Sequence, residues 1–230
     1  KSLNEIKIKY PINIRSILFH MRNIIRKNLI VDGLIYLQIT RGVAKRDFKF
    51  PKNLDSTITI IGNNIPSDEY DKAFEKGINV VTTRDLRWKR VDIKSLNLLA
   101  PVLAKQYANE SNAQEAWLID DNGFITEGSS SNAWILIGKT VYTRPVSSSI
   151  LNGITRNTLI KGLNKHGYSF KEKKFNVNDI KKSKEAYITS ATQYVMPVIK
   201  VNNKKVGTGK VGKFAKIFKE IYLESVQLKS

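Results

Sequence analysis

Four short apolar stretches between residues 115 and 143 constrain the fold of this chain more than any other feature. Residues 115–119, 124–126, 133–137 and 141–143 each read as a strand, and Asp121-Asn122-Gly123 and Gly138-Lys139 supply turns between them. Strands so closely spaced leave no room for crossover helices, so the stretch reads as a β meander. Helical periodicity lies elsewhere. Ile14, Ile17, Leu18, Met21, Ile24 and Ile25 recur at a 3.6 period, and an apolar helix runs through 98–108. Pro101 requires that helix to begin late or to kink near Ala100. Residues 155–165 form a helix closed by Gly167, and an amphipathic helix covers 211–226. Further strands fall at 34–40, 57–61, 78–83, 186–189 and 195–201. Strands in succession with segregated helices predict an α+β architecture rather than a doubly wound sheet. The polar, turn-rich Gly62-Asn63-Asn64-Ile65-Pro66-Ser67 is the candidate linker, dividing a small domain at 1–64 from a large one at 65–230.

At 230 residues the chain has ample material for a core, and no run is long and uncharged enough to span a bilayer. Zero cysteines exclude disulfides and thiolate metal sites and favour a reducing cytoplasm. His20 and His166 are too far apart in sequence to suggest a histidine metal centre. The net charge of +19 invites a nucleic-acid reading. That charge is spread over separate patches at 171–174, 181–184, 204–205 and 210–219, which read as solvated faces, so no specific nucleic-acid partner is expected. The chain opens on Lys1 rather than methionine, shows no signal peptide, and its first nine residues read as the tail of a longer element. Gly207-x-Gly209-x-x-Gly212 matches the dinucleotide fingerprint, but too little chain follows for a βαβ unit, so it reads as a loop glycine cluster.

Chemistry is suggested first by Lys94, set in Asp92-Ile93-Lys94-Ser95-Leu96-Asn97-Leu98-Leu99. An ammonium held among aliphatic side chains relieves its cost by losing a proton or forming a bond, and a neutral amine attacks aldehydes. The other reading is a lysine that snorkels to solvent from a helix end. Four further segments gather small, hydroxylated or basic residues. Thr126-Glu127-Gly128-Ser129-Ser130-Ser131-Asn132 suits a place where backbone and hydroxyl donors converge on an anion or a polar ring, or is an exposed polar turn. Its Glu127 has the chemistry to hold a pyridinium nitrogen protonated. Leu151-Asn152-Gly153-Ile154-Thr155-Arg156 opens a helix, where Gly153 permits close approach and Thr155 offers an N–H and a hydroxyl at the positive end; the alternative is an ordinary cap. Thr189-Ser190-Ala191-Thr192 ends an apolar strand and forms either a second phosphate wall or a plain turn. The arginines of Thr40-Arg41-Gly42-Val43-Ala44-Lys45-Arg46-Asp47 either grip a carboxylate or make surface ion pairs. Nothing resembles a serine-hydrolase triad or a glycosidase carboxylate pair. Trp88, Trp117 and Trp134 read as core or interface.

These segments resemble, in content and order, the fold-type IV pyridoxal phosphate (PLP)-dependent aminotransferases. That group includes D-amino-acid and branched-chain aminotransferases and aminodeoxychorismate lyases. The resemblance runs through Leu37-Gln38-Ile39-Thr40-Arg41-Gly42-Val43-Ala44, the Lys94 segment, 126–132 and 151–156, and covers nearly the whole chain. Ile93-Lys94-Ser95-Leu96-Asn97 and Glu127-Gly128-Ser129-Ser130-Ser131-Asn132, with Gln38-Ile39-Thr40-Arg41-Gly42, are similar to the D-amino-acid branch in particular.

The resemblance implies a two-domain fold, a small N-terminal α/β domain and a larger one of mostly antiparallel strands with packed helices. It implies that Lys94 forms the internal aldimine with PLP and shuttles the α-proton, and that Glu127 pairs with the pyridine nitrogen. Ser130 and Ser131 would lie near the ring and substrate, and Leu151 would pack on the ring. Gly153, Ile154 and Thr155 would hold the phosphate, with Ser190, Ala191 and Thr192 as its second wall. Arg46 would bind the substrate carboxylate across a homodimer. Two departures stand out: Phe48 replaces a histidine common in the D-amino-acid enzymes, and Ala191 replaces a threonine. The family's first strands would precede Lys1, so a chain truly beginning there is expected to hold PLP weakly and show little activity. The implied reaction is ping-pong transfer of an amino group from a D-amino acid, D-alanine foremost, to 2-oxoglutarate. Branched-chain L-amino-acid transfer, aminodeoxychorismate lysis and a basic nucleic-acid-binding module are the alternatives.

Overall fold

The computed structural model of the chain describes residues 1–65 and 67–226. The chain falls into two compact units, Lys1–Tyr70 and Asp71–Ser230. In chain order the first holds α1 (Ser2–Glu5), α2 (Ile14–Lys27), β1 (Gly33–Thr40) and β2 (Thr57–Asn64), and α3 (Ser67–Lys76) crosses the division. The second holds β3 (Ile78–Arg84), α4 (Leu99–Glu110), β4 (Glu115–Ile119), β5 (Ile125–Gly128), β6 (Asn132–Ile137) and β7 (Thr140–Thr143). It continues with α5 (Ile154–Lys165), β8 (Ser169–Glu172), α6 (Val177–Lys181), β9 (Glu185–Ser190), β10 (Tyr194–Val201), β11 (Lys204–Lys205) and α7 (Lys213–Val226). Strands and helices are segregated, as an α+β chain requires.

In the first unit α2 begins where the Asn13 side chain accepts the Ser16 N–H at 2.9 Å, and it ends on Arg26 and Lys27, whose charges suit its negative end. β1 and β2 pair antiparallel from Gly33 opposite Asn64 to Thr40 opposite Thr57. The expected linker is therefore corrected: Gly62, Asn63 and Asn64 are strand residues opposite Ile35, Leu34 and Gly33. Gly62 serves close packing rather than a turn, since a Cβ there would stand 2.6 Å from Ile30 Cδ1 and 2.9 Å from Ile24 Cγ2. Pro66, also within that expected linker, lies outside the described residues.

The second unit is built on a nine-stranded mixed sheet in the order β5-β4-β3-β10-β9-β6-β7-β8, with β11 on β10. Most ladders are antiparallel; β3 runs parallel to β4 and β10, and β7 to β8. The meander expectation is corrected at its middle. β4 pairs with β5 and β6 with β7, but β6 takes β9 as its other neighbour rather than β5. Residues 129–131 make that break, with Gly128 N donating to Ser131 O at 2.6 Å. Phe124 stands outside β5 and makes only an isolated bridge with Asn176. α4 starts at Leu99 and holds Pro101 in its first turn, where the missing N–H removes no intrahelical bond, so no kink is needed. Its Ala104 and Ala108 pack with Val81, Ala113, Ala116 and Leu118. α5 and α7 meet at Gly162, where a Cβ would stand 2.4 Å from Ile221 Cγ2. Trp117 and Trp134 are fully buried.

The glycine triplet at 207–212 serves α7 itself. The Glu185 carboxylate accepts the Phe214 and Ala215 N–H groups at 3.2 and 3.0 Å, and a Cβ on Gly212 would collide with it. The positive end of α7 is thus satisfied from within the chain. Among the described residues no helix is long and apolar enough to cross a membrane.

Candidate active site

Glu127 ends up at the centre of a buried polar cluster because β5 delivers it beside the segment that leaves β3. Its carboxylate accepts Arg87 Nη1 at 2.5 Å, Asn132 Nδ2 at 2.8 Å and the Leu151 N–H at 3.1 Å. Arg87 also binds Asp85 through Nε and Nη2 at 2.9 and 2.8 Å and donates to Ser149 O at 3.2 Å. Thr126 Oγ1 donates to Asp85 at 2.7 Å. Burial pushes Glu127 from its ordinary value of 4.5 up to about 7, against the pull of Arg87 and the Leu151 N–H. Burial also raises Asp85, but Arg87 and Thr126 outweigh it and hold that carboxyl below its usual range. Arg87 is held above its usual range, its two carboxylates outweighing desolvation. Two carboxylates around one guanidinium leave the ionised cluster with one negative charge in excess.

From Glu127 a continuous chain of contacts leads to the helix start expected to hold a phosphate. Asn132 Nδ2 donates to both Glu127 and Leu151 O, the latter at 3.0 Å, and Gly153 N donates to the same carbonyl at 2.9 Å. α5 then opens with Gly153 at its cap and Ile154 and Thr155 in its first turn, whose N–H groups have no partner within the helix. Thr155 is buried and its hydroxyl donates to Ser190 O at 3.1 Å. The expected donor hydroxyl is thus already engaged, while the two expected phosphate walls are brought together. Ser190 Oγ accepts the Gln193 N–H at 3.1 Å, and Ala191 and Thr192 are exposed in the turn to β10.

Gly153→Ala is expected to destabilise the chain by about 1–3 kcal/mol, the usual cost of overpacking. The new Cβ would stand 2.3 Å from Asn132 Oδ1, and Asn132 has little freedom to move while it bridges Glu127 and Leu151. Denaturant titration of the two proteins checks this, and equal stability would show the cradle to be slack.

The chain as a whole has counterparts among known proteins. The family model described as amino-transferase class IV matches residues 1–201. The chain belongs to the class IV aminotransferases. The D-alanine aminotransferase of Staphylococcus aureus (strain COL) is 40% identical over 229 residues, covering 98% of this chain and 80% of that protein. The D-alanine aminotransferase of Bacillus licheniformis is 36% identical over 216 residues, or 94% and 75% of the two chains. Among solved structures, the Escherichia coli branched-chain amino acid aminotransferase matches with a TM-score of 0.86 at 23% identity, over 97% of this chain and 75% of that one. The branched-chain amino acid aminotransferase of Thermobaculum terrenum, in its PLP form, matches with a TM-score of 0.85 at 19% identity, over 97% and 74%. At such identities the structural likeness establishes the class IV fold.

The remaining site residues of this class IV aminotransferase are more scattered in setting. Lys94 does not lie among packed aliphatic side chains as the sequence suggests. It is exposed, and so are Leu96, Leu98 and Leu99, while Ile93 alone in that stretch is buried. The apolar run forms uncovered surface rather than core. What ties the segment down is the backbone just before it: Val91 N donates to Ser148 O at 3.1 Å, and Arg87 grips Ser149 O and Glu127. In the serine loop Ser129 and Ser131 are buried and Ser130 is exposed.

In the first unit Arg41 does not reach outward for a carboxylate. It donates to the carbonyls of Ile6 and Lys7 and lies 3.8 Å from the Phe50 ring centre. Arg46 is exposed, with its guanidinium 5.4 Å from the ring centre of Phe48, itself 91% exposed. Asp85, Arg87, Glu115 and the role of Asn132 escape a reading of sequence alone. The available signal was Asp85-Leu86-Arg87 directly after an apolar strand, a charged pair where the chain has just left the sheet.

Proposed function

We propose that this chain moves the amino group of a D-amino acid, D-alanine foremost, to 2-oxoglutarate, with pyridoxal 5'-phosphate as cofactor. The observation that carries the reading is the buried Asp85–Arg87–Glu127 cluster, which holds one negative charge in excess when Glu127 is ionised, in a chain 36–40% identical to D-alanine aminotransferases. A protonated ring nitrogen is the cation such a cluster fits, and the first-turn N–H groups of Ile154 and Thr155, which find no partner within α5, fit a phosphate at the positive end of that helix. When bound, the cofactor supplies an aldehyde for amines and a ring that takes up electrons.

The chain's own residues divide the rest. Glu127 holds the proton on the ring nitrogen, and Arg87 pulls Glu127 part of the way back toward its ionised form against its burial. Leu151 packs against the ring, and Ile154 and Thr155 hold the phosphate with backbone N–H groups, while Gly153, whose own N–H goes to Leu151 O, sets the start of the helix. Ser190, Ala191 and Thr192 form the facing wall, and Ser130 and Ser131 line the substrate side. Lys94 provides the amine that anchors the cofactor, then takes the substrate's α-proton and returns it. Arg46 binds the substrate carboxylate across a homodimer, where Phe48 gives that carboxylate an apolar neighbour and no second donor. The exposed Leu96, Leu98, Leu99, Val102, Leu103 and Tyr107, large apolar side chains gathered in one short stretch, support a second copy as the partner. The cysteine-free composition supports a cytoplasmic setting.

The test is chemical. Chain incubated with PLP is expected to gain a visible absorption band, and borohydride is expected to fix the label on the peptide containing Lys94. D-alanine should discharge the band in the unreduced protein, and L-leucine should leave it. A label on another lysine, or none when the chain is extended by the family's first strands, overturns the assignment; discharge by L-leucine alone moves it to the branched-chain reaction.

A further inference from the structure

Glu115 is a buried charge that the proposed reaction leaves unused. It opens β4, is 1% exposed, and precedes the buried Ala116, Trp117 and Leu118. A carboxylate so placed needs donors, and five reach it. Oε1 accepts the N–H groups of Ala116 at 2.8 Å and Ser129 at 3.2 Å and the Ser129 hydroxyl. Oε2 accepts the hydroxyls of Ser130 at 3.3 Å and Ser131 at 2.9 Å. Lys105 Nζ on α4 stands 3.7 Å from Oε1 as countercharge. One side chain thus holds all three serines of the loop that follows Glu127.

The consequence concerns polarity. A serine hydroxyl has one proton and two acceptor lone pairs, whereas a carboxylate only accepts. Each of the three hydroxyls therefore spends its proton on Glu115. Ser130, the exposed member, is left to meet a ligand with lone pairs. The backbone and hydroxyl donors that the sequence leads one to expect around an anion do converge on one, but that anion is the chain's own Glu115.

We propose that Glu115 is a positioning residue that makes the serine loop an acceptor for an amine or ammonium group, rather than a donor to a carboxylate or phosphate. This rests on the transaminase reading, in which the amines at hand are those of the amino donor and of Lys94. Glu115→Gln keeps the shape but presents an NH2 group, freeing a hydroxyl proton to turn outward. Ser130→Ala removes the exposed acceptor.

The experiment compares the PLP-loaded parent, both single variants and the double variant. If the amine is the substrate's, each single variant raises KM for D-alanine about tenfold, as loss of one hydrogen bond to a charged group does. KM for 2-oxoglutarate, which has no amine, stays unchanged, and the double variant is no worse than Glu115→Gln alone. If the amine is that of Lys94, KM for D-alanine holds while the pH at which the visible band changes shifts in both single variants, again without adding in the double. Either pattern supports the proposal. Equal rises in both KM values, additive effects, or a fall in melting temperature with KM and band unmoved all overturn it, leaving Glu115 a brace alone. Should Glu115→Gln not fold, Ser130→Ala alone decides by the same split between KM and band. A parent chain that takes up no PLP even when extended by the family's first strands overturns the transaminase reading and this proposal together; intact uptake with unmoved variants overturns only this one.

Discussion

Arg87→Met is expected to lower the melting temperature by roughly 10 °C at pH 7.5. The guanidinium is nearly out of solvent and is shared by two carboxylates that are nearly as buried. Methionine keeps much of the volume but leaves Asp85 and Glu127 facing one another with no cation. Removing one partner of a buried ion pair costs about 3–5 kcal/mol, and in a chain of this size each kcal/mol moves the melting temperature by about 2–4 °C. The loss should shrink at pH 5.5, where Glu127 takes a proton and one of the stranded charges disappears. It should also shrink when Glu127→Gln is added, because the two changes touch the same cluster and are not additive. Thermal melts of the parent, both single variants and the double variant, at the two pH values, read this directly. A drop independent of pH and of residue 127 would mean that Arg87 matters for packing and not for charge.

Glu127 is expected to make the cofactor-free chain less stable as pH rises from about 4.5 to about 7. Its folded-state pKa is about 7 against an ordinary 4.5. In that window the folded chain binds more protons at this group than the unfolded chain does. Stability from this group is therefore full below pH 4.5, declines through the window and stays at its lower value above about 7. A shift of that size corresponds to roughly 3 kcal/mol. PLP should flatten the curve, since a protonated ring nitrogen beside Glu127 supplies the missing positive charge and favours the carboxylate. Glu127→Gln should flatten it as well, for lack of a titrating group. Melting temperatures between pH 4.5 and 8, with and without PLP, check the sign. An unchanged slope in Glu127→Gln would assign the effect to other groups.

The parts of the fold legible in sequence were those whose information is local. The 3.6-residue period over 14–27, the glycine after α5 and the turns at 121–123 and 138–139 each sit where the sequence puts them. What escaped was set by partners far along the chain. Gly62-Asn63-Asn64 has the composition of a turn, and only the facing strand from Gly33 makes it β structure. β8 is short and charged, and exists because Thr140–Thr143 offers it a parallel edge. In the site, Glu127 stood out as a lone acid among glycine and serines. Arg87 did not, because the residue that gives it meaning lies forty positions away. Glu115 looked like the polar first residue of a strand, four of its five donors being invisible until the serine loop folds back over it. Lys94 was singled out for an apolar setting it does not have; what marks it is the pinned backbone that precedes it.

That pinned backbone bears on how such chains vary. Arg87 and Val91 reach the carbonyls of Ser149 and Ser148, so the loop before Leu151 and the segment leading to Lys94 are sewn together at two adjacent peptide groups. Neither can gain or lose a residue alone without sliding the other out of step. Length changes in this pair of loops are therefore expected to arise jointly, so that drift in one is matched by drift in the other.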